Sequence, residues 1–455
     1  MGLPNLFPAI GFAFYAVVSK LLFDQIYLTS NMIVDEEFHM PLGQRYCRYR
    51  FREWDPKVTT LPGLYLSSTL LLGPLGLCSK YWLRATSLIF SGINLVLLYM
   101  LVSKTVKGQW QKVITTLAIA FLPPLYFLAH VYYTDVVSLT TILLLISFHE
   151  RRYHYFAALA GFASIICRQT NVVFVGIYGG TYVLREIYGF WAKHTEPYVK
   201  AGRFPLKDMK PFIKDFLKDP MRILRHTTPK FWVDSACYIS VLVFFITFVF
   251  LNGGIVVGDK SAHTVSINIP QIFYFSVFCM IFAWPFFVCE IFNFFDFVTR
   301  QKLVICLSMV VALLIVHFNT VVHPYLLADN RHFIFYVWNR FYGKYPWFKY
   351  SMVPIYVFAL YVVIKTIWDK SDISFSILFF VGVGTLLASQ SLLELRYFLL
   401  PYIIFRLKVK NKDQPNFNVG LEFFTHILLN MSAFKIFFTR PVYWQGYNDI
   451  QRIIW

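Results

Sequence analysis

An all-α polytopic integral membrane protein is the fold this chain predicts, on three observations. Of 455 residues, 57% are hydrophobic and 15% charged, against about a quarter charged in an average soluble domain. Mean hydropathy is +0.56, and apolar stretches long enough to cross a bilayer recur along the whole chain. The net charge of +18 is scattered through the loops between those stretches. A nucleic-acid surface would gather its cations on one face, so basicity here reads as membrane topology.

A window of about 19 residues gives about thirteen spans, twelve to fourteen depending on how breaks are counted. They lie near residues 5–24, 85–103, 112–130, 136–149, 155–167, 170–189, 233–252, 271–291, 303–322, 348–366, 373–391, 397–409 and 418–438. The first is an uncleaved signal anchor, because no small-residue cleavage site follows it. Residues 25–84 form a long polar loop with interfacial helices. Within it Leu61–Cys78 is apolar but broken by Pro62, Gly63, Gly73, Pro74 and Gly76, which favours a re-entrant or interfacial helix over a span. Keeping that piece on the loop's side places Lys104, Lys107, Lys112, Arg151, Arg152, the segment 190–230, Arg300, Lys302, Arg406, Lys408, Lys410 and Lys412 together on the other side. The positive-inside rule makes that side the cytosol. The N-terminus is then cytosolic and the loop 25–84 lumenal or exoplasmic.

Trp191–Lys230 carries ten Lys or Arg against four acids, with Phe212, Phe216, Leu217, Met221 and Leu224 interleaved. Two readings stand, a helix on the anionic cytosolic leaflet or a solvated connector within one membrane domain, 1–455. Cys167, Cys237, Cys279, Cys289 and Cys306 fall in or beside apolar spans, without zinc or redox spacing. Cys47 and Cys78 share the first loop and could pair, but two thiols in one loop are expected to stay unpaired or packed. The acceptor pattern Asn430-Met431-Ser432 lies inside an apolar span and is expected to be unmodified.

With these spans, polar residues converge on the lumenal face: Val34 to His39 with Trp54 to Tyr65, Tyr132 to Asp135, Arg168 to Asn171, Asn252 to His263, His323 to His332, and Glu394 to Tyr397. A carboxylate to accept a proton, cations to neutralise a phosphate and aromatic platforms for a sugar are all supplied there.

The stretches VDEEFHMPLGQRYC, WDPKVTTLPGLYL, LPPLYFLAHVYYTD, RQTNVVF, NGGIVVGDKSAH with PQIFYF, HPYLLADNRHFIFYVW, LLELRYFLLPY and DIQRIIW, in this order from residue 34 to the last, carry a resemblance. Together they resemble the dolichyl-phosphate-glucose α-1,2-glucosyltransferase family of the GT-C architecture. Glu37 and Gly43 depart from the expected pattern in polarity or size, and Asp135 stands where Glu is expected. The resemblance implies an endoplasmic reticulum enzyme that adds the third, terminal glucose to the lipid-linked oligosaccharide of N-glycosylation. The implied donor is dolichyl phosphate β-D-glucose and the implied acceptor Glc2Man9GlcNAc2-PP-dolichol. Nucleic acid is not implied, nor is an obligate protein partner.

An α product from a β-linked donor requires one in-line displacement and one base. Asp35, the first acid after the first span, is the implied general base, with Glu36 the alternative and His39 orienting it. Neighbouring helical side chains diverge by about 100°, so one of the two acids faces the acceptor. The plainer reading is an acidic first helical turn. Arg331, His332, Arg396 and Lys260 are the candidate donor-phosphate ligands. Against this, Arg331 has Asp329 as a ready partner, and cations at span ends snorkel. Trp54, Asp55, Tyr133 and Asp135 are the candidate acceptor or sugar contacts, although Trp54 also suits an interfacial anchor and turn. Arg168, with Gln169 and Asn171, is read as packing spans together. Asn252-Gly253-Gly254 reads as a turn, with His263 a weak ligand candidate. No metal or other cofactor is expected, since a lipid monophosphate can be neutralised by side-chain cations. The alternatives are a sibling dolichyl-phosphate-glucose α-1,3-glucosyltransferase, a transporter or a noncatalytic scaffold. A transporter would place ionisable groups at span centres, where His317 is the main exception and reads as a packed polar residue.

Overall fold

Proline and glycine set the boundaries of the helices. The structure is a computed structural model that describes residues 6–195, 204–260, 266–370, 372–409, 415–443 and 449–455. His263, Lys410, Lys412 and residues 196–203 of the basic connector lie outside these.

Helix α1 (Leu6–Thr29) leads through a turn at Val34, whose φ is 48°, into α2 (Glu36–Cys47). Helix α3 (Gly63–Leu72) continues as a 3-10 turn, Gly73–Leu75, and ends at Gly76 in a left-handed conformation. Helix α3 rises about 15 Å over its ten residues, about half the hydrocarbon thickness. It turns the chain back towards α2. Cys47 and Cys78 therefore meet as a disulfide with Cα atoms 5.7 Å apart, which corrects the expectation that they stay unpaired.

Helices α4 (Lys80–Thr105), α5 (Gln109–Ala120), α6 (Pro123–Leu128), α7 (Thr134–Glu150), α8 (His154–Cys167) and α9 (Val172–Thr195) follow. The expected span 112–130 is two helices, because Pro123 and Pro124 cannot continue the ladder of α5. Then come α10 (Met209–Lys218), α11 (Pro220–Leu224) and α12 (Pro229–Asn252), which Gly253 terminates at φ 67°. The span expected at 271–291 breaks at Pro285 into α13 (Pro270–Phe282) and α14 (Trp284–Val288), and α15 (Ile291–Arg300) bends by 105° into α16 (Lys302–Phe318). Short helices α17 (Pro324–Ala328), α18 (Phe333–Val337) and α19 (Phe348–Ser351) precede α20 (Val353–Lys370), α21 (Ile373–Ala388), α22 (Leu399–Lys408) and α23 (Pro415–Thr439). Strands β1 (Pro441–Val442) and β2 (Gln451–Arg452) pair antiparallel after α23.

Helix α23 repairs the helix breaks. His426 ring nitrogens lie 2.7 and 2.9 Å from the carbonyls of Ala118 and Phe282, and Asn430 Nδ2 donates to Phe121 C=O at 2.7 Å. These are the carbonyls released where α5 and α13 stop, and no lipid could satisfy them. Asn430 is thus buried in packing. Among the described residues five helices are long and apolar enough to cross a bilayer, or six if α15 and α16 form one broken span. Several other expected spans are shorter, α8 with 14 residues, α21 with 16 and α22 with 10. The chain is an all-α polytopic membrane protein.

Candidate active site

The loop after α1 is fixed by one buried ion pair. Glu36 opens α2 and meets Arg84 of α4 through two hydrogen bonds, 2.9 and 2.6 Å, with both side chains fully buried. Its oxygens also accept the backbone N–H of Ile33 at 3.1 Å and of Tyr132 at 2.7 Å. Arg84 spends its remaining donors on the carbonyls of Ser30 and Asn31, at 3.2 and 2.7 Å. A carboxylate so saturated has no oxygen left for a substrate. Glu36, expected as the alternative base, is instead the strut that ties the 30–36 turn to α4 and to the start of α7.

Asp35 is the residue the strut presents. It occupies the N-cap of α2, yet its side chain makes no capping bond. The plainer reading of an acidic helix start thus holds for the position of Asp35, Glu36 and Glu37, while the Asp35 side chain is turned to other partners. Its Oδ2 accepts from Arg396 Nη1 at 2.8 Å, and its backbone N–H donates to Tyr133 Oη at 2.9 Å, while that hydroxyl donates to Ile33 C=O at 3.1 Å. The second anion on Arg396 is Glu394, which receives both Nε and Nη2. Burial pushes the Asp35 carboxyl up, but Arg396 above all, with the neighbouring imidazoles, holds it below the ordinary carboxylate range. Burial works against the Arg396 charge, and Glu394 and Asp35 more than restore it.

His39 sits one turn along α2. Its Nδ1 is hydrogen-bonded to Tyr65 Oη at 2.5 Å rather than to the Asp35 carboxylate. Burial drives its pKa down to about 4, against the opposing charge of Asp35. The imidazole is neutral near pH 7.

A cavity of about 370 Å³ opens beside Asp35. Its lining carries the charged or ionisable side chains Asp35, Glu37, Asp329, Arg331, His332, Glu394 and Arg396 together with apolar ones, Pro124, Leu128, Leu326, Ile334 and Phe335 among them. Arg331 grips Asp329 fork to fork at 2.9 and 2.9 Å and donates to Gln451 Oε1 at 3.2 Å. The expected alternative partner, Asp329, is thus engaged. Burial raises the Asp329 carboxyl, but Arg331 and His332 outweigh it and keep it low. His332 Nδ1 donates to Trp455 C=O at 3.2 Å, and the backbones of Phe333 and Arg331 pair with Ile454 at 3.0 and 2.7 Å. The tail that supplies β2 is therefore a structural part of the cation wall. Trp455 lines the cavity with its indole N–H buried and unpartnered.

Of the sequence-predicted residues, Asp35, Tyr133, Arg331, His332 and Arg396 share this cavity, whereas Glu36, His39, Trp54, Asp55, Lys260 and Asp135 do not. Trp54 packs edge-on against Tyr46 and Tyr65, and Asp55 Oδ1 accepts the Lys57 N–H at 3.0 Å in a local turn. Lys260 donates to Asn252 C=O, in a loop pinned to residues 56–59 by Val257 and Asp259 backbone bonds. Asp135 is paired with Arg168, which corrects the expectation that Arg168 turns to Gln169 and Asn171. Those two instead bond Thr59 C=O and, from Asn171, Ser138 Oγ and Ser164 C=O. Sequence reasoning left Arg84, Glu37 and Glu394 without roles. An arginine one residue before an apolar span was the available signal for Arg84. Among the described residues no group of three or more His, Cys, Asp or Glu is gathered as metal ligands.

Bilayer-length helices around an ion-paired cavity mark a polytopic membrane protein. The chain belongs to the DIE2/ALG10 family, whose sequence profile matches residues 29–407. A Drosophila melanogaster relative named Dol-P-Glc:Glc(2)Man(9)GlcNAc(2)-PP-Dol alpha-1,2-glucosyltransferase is 39% identical over 98% of both chains. Relatives of the same name from Mus musculus and Homo sapiens are 35% and 34% identical over 93% of both chains. No solved structure matches the chain.

Proposed function

We propose that this protein transfers glucose from dolichyl phosphate β-D-glucose to the 2-hydroxyl of the terminal glucose of Glc2Man9GlcNAc2-PP-dolichol. Relatives at 34–39% identity over nearly the whole chain carry that activity in their names. The proposed setting is the endoplasmic reticulum membrane, as one GT-C-type domain of about thirteen crossings, with the N-terminus cytosolic and the cavity lumenal.

One observation supports the chemistry above the others: an ionised carboxylate, Asp35, shares a cavity with the guanidinium groups of Arg396 and Arg331, the His332 imidazole and apolar side chains. The apolar walls, Leu326, Ile334 and Phe335 among them, suit a polyprenyl chain, and Arg331, His332 and Arg396 suit its phosphate. The acceptor 2-hydroxyl oxygen attacks the anomeric carbon from the face opposite the phosphate. As the new C–O bond forms, the bond from that carbon to the phosphate oxygen breaks and its electron pair leaves with dolichyl phosphate. The hydroxyl becomes acidic as it bonds carbon, so even a carboxylate of low pKa accepts its proton. Arg396 holds Asp35 ionised beforehand, and the cations offset the second negative charge appearing on the leaving phosphate. Those side chains supply the neutralisation a metal gives in diphosphate-donor enzymes, so the proposed reaction is metal-independent.

Purified protein supplied with labelled donor should glucosylate the diglucosylated lipid-linked acceptor, in the presence of chelator, and linkage digestion of the product should give α-1,2. Glucosylation of a mono- or unglucosylated acceptor in its place would transfer the assignment to the α-1,3 sibling.

A further inference from the structure

Outside the cavity, the feature with the most unexplained chemistry is the outer face of α10. Helix α9 carries the chain about 36 Å from the Arg168 region, and α10 packs against its far end. The inward face of α10 is well anchored. Phe212 is buried against Trp191 and Phe204, and Trp191 Nε1 donates to Asp215 at 3.0 Å. The outward face is both apolar and cationic. Ile213 and Leu217, one turn apart, are 44% and 76% exposed, and Met221 beyond them 56%. Lys210, Lys214 and Lys218 run beside them at the same four-residue spacing.

Among the described residues these cations have no carboxylate partner. Among the described residues none of Lys210, Lys214, Lys218, Arg222 and Arg225 makes an ion pair with a carboxylate, because the nearby acids serve elsewhere. Asp208 accepts from Tyr188 at 2.6 Å, Asp215 from Trp191, and Asp219 caps the Arg222 N–H at 3.0 Å. The exposed apolar surface also continues into a membrane helix: Trp232 and Val233, 52% and 64% exposed, open α12, which is apolar and long enough to cross the bilayer.

We infer that α10 lies on the bilayer surface at the end of the molecule remote from the cavity and docks there on anionic phospholipid. Ile213, Leu217 and Met221 enter the acyl boundary and the lysine row faces the head groups. Continuity with α12 fixes the occupant as the membrane that α12 crosses. Phe212 and Trp191 set the depth, holding the helix in register with the bundle whether or not charged lipid is present.

The full-length protein reconstituted in nanodiscs of phosphatidylcholine, with or without phosphatidylserine, tests this by hydrogen exchange of residues 209–218. A photo-crosslinking benzoylphenylalanine at Leu217 supplies the second readout. Phosphatidylserine should slow exchange several-fold, the probe should crosslink to lipid, and Lys210→Gln with Lys214→Gln and Lys218→Gln should abolish the dependence on charged lipid while Phe212 stays anchored. Exchange indifferent to lipid charge, or a probe at Leu217 that crosslinks to protein or to nothing, overturns the inference.

Discussion

Asp35 and Arg396 are 361 residues apart in the chain and 2.8 Å apart in space. The carboxylate of the first loop is thereby joined to the segment just before α22, and its protonation is set by a residue from the opposite end of the sequence. Because the native pKa of Asp35 is lowered, the pair contributes stability that is complete above the unfolded value of about 3.9 and is lost as pH falls through the native value. Transfer should accordingly show no acid limb from Asp35 until below the ordinary carboxylate range. Arg396→Gln should move that limb upward, as read from kcat/KM against pH.

His39 titrates in the same sense and at higher pH. Its native pKa, about 4, lies below the unfolded value of about 6.5, so stability is full above about pH 6.5 and declines by up to ~3 kcal/mol towards pH 4. Thermal unfolding of the detergent-solubilised protein should show that decline, and His39→Gln should flatten it.

The Glu36–Arg84 pair should govern folding rather than turnover alone. Removing one partner of a fully buried pair strands the other and costs roughly 3 to 5 kcal/mol, so Glu36→Gln and Arg84→Met should each lower the unfolding temperature sharply. The double change Glu36→Gln with Arg84→Met should recover part of that loss. Single variants that fold as the parent does would show that the pair is not the strut described.

Gln451 supports Arg331 from the tail. Gln451→Ala removes the 3.2 Å acceptor on the guanidinium and should raise the KM for the lipid donor more than it lowers kcat. A change confined to kcat would place Gln451 outside donor binding.

The disulfide closes a loop across 31 positions of sequence, and the chain-entropy estimate for such a loop is about 3 to 4 kcal/mol. Cys47→Ser with Cys78→Ser should destabilise the protein by an amount of that order in thermal unfolding under non-reducing conditions.

Much of this organisation is legible in the sequence, and the reasons for what is not are physical. Asp35 could be found because it is the first acid after an apolar span, and α3 because its prolines and glycines interrupt an apolar run. The break between α5 and α6 was hidden by averaging. A hydropathy window crosses Pro123 without registering the lost backbone bonds, and their replacements come from Asn430 and His426, over 300 positions away. Glu36 looked like a second base because its partner lies 48 residues on. Asp135 and Trp54 looked like sugar contacts for a similar reason: pattern supplies the residue type, while pairing with Arg168 or packing on Tyr65 is decided by tertiary structure.

The most direct measurement is glucose transfer by Asp35→Asn beside the parent protein, with donor affinity and unfolding temperature determined on the same samples. An amide cannot accept the proton, so kcat should fall by about 10²–10⁴-fold while donor binding and folding persist. A variant that binds donor, folds and transfers glucose at the parent rate would contradict the assignment of Asp35 as the base.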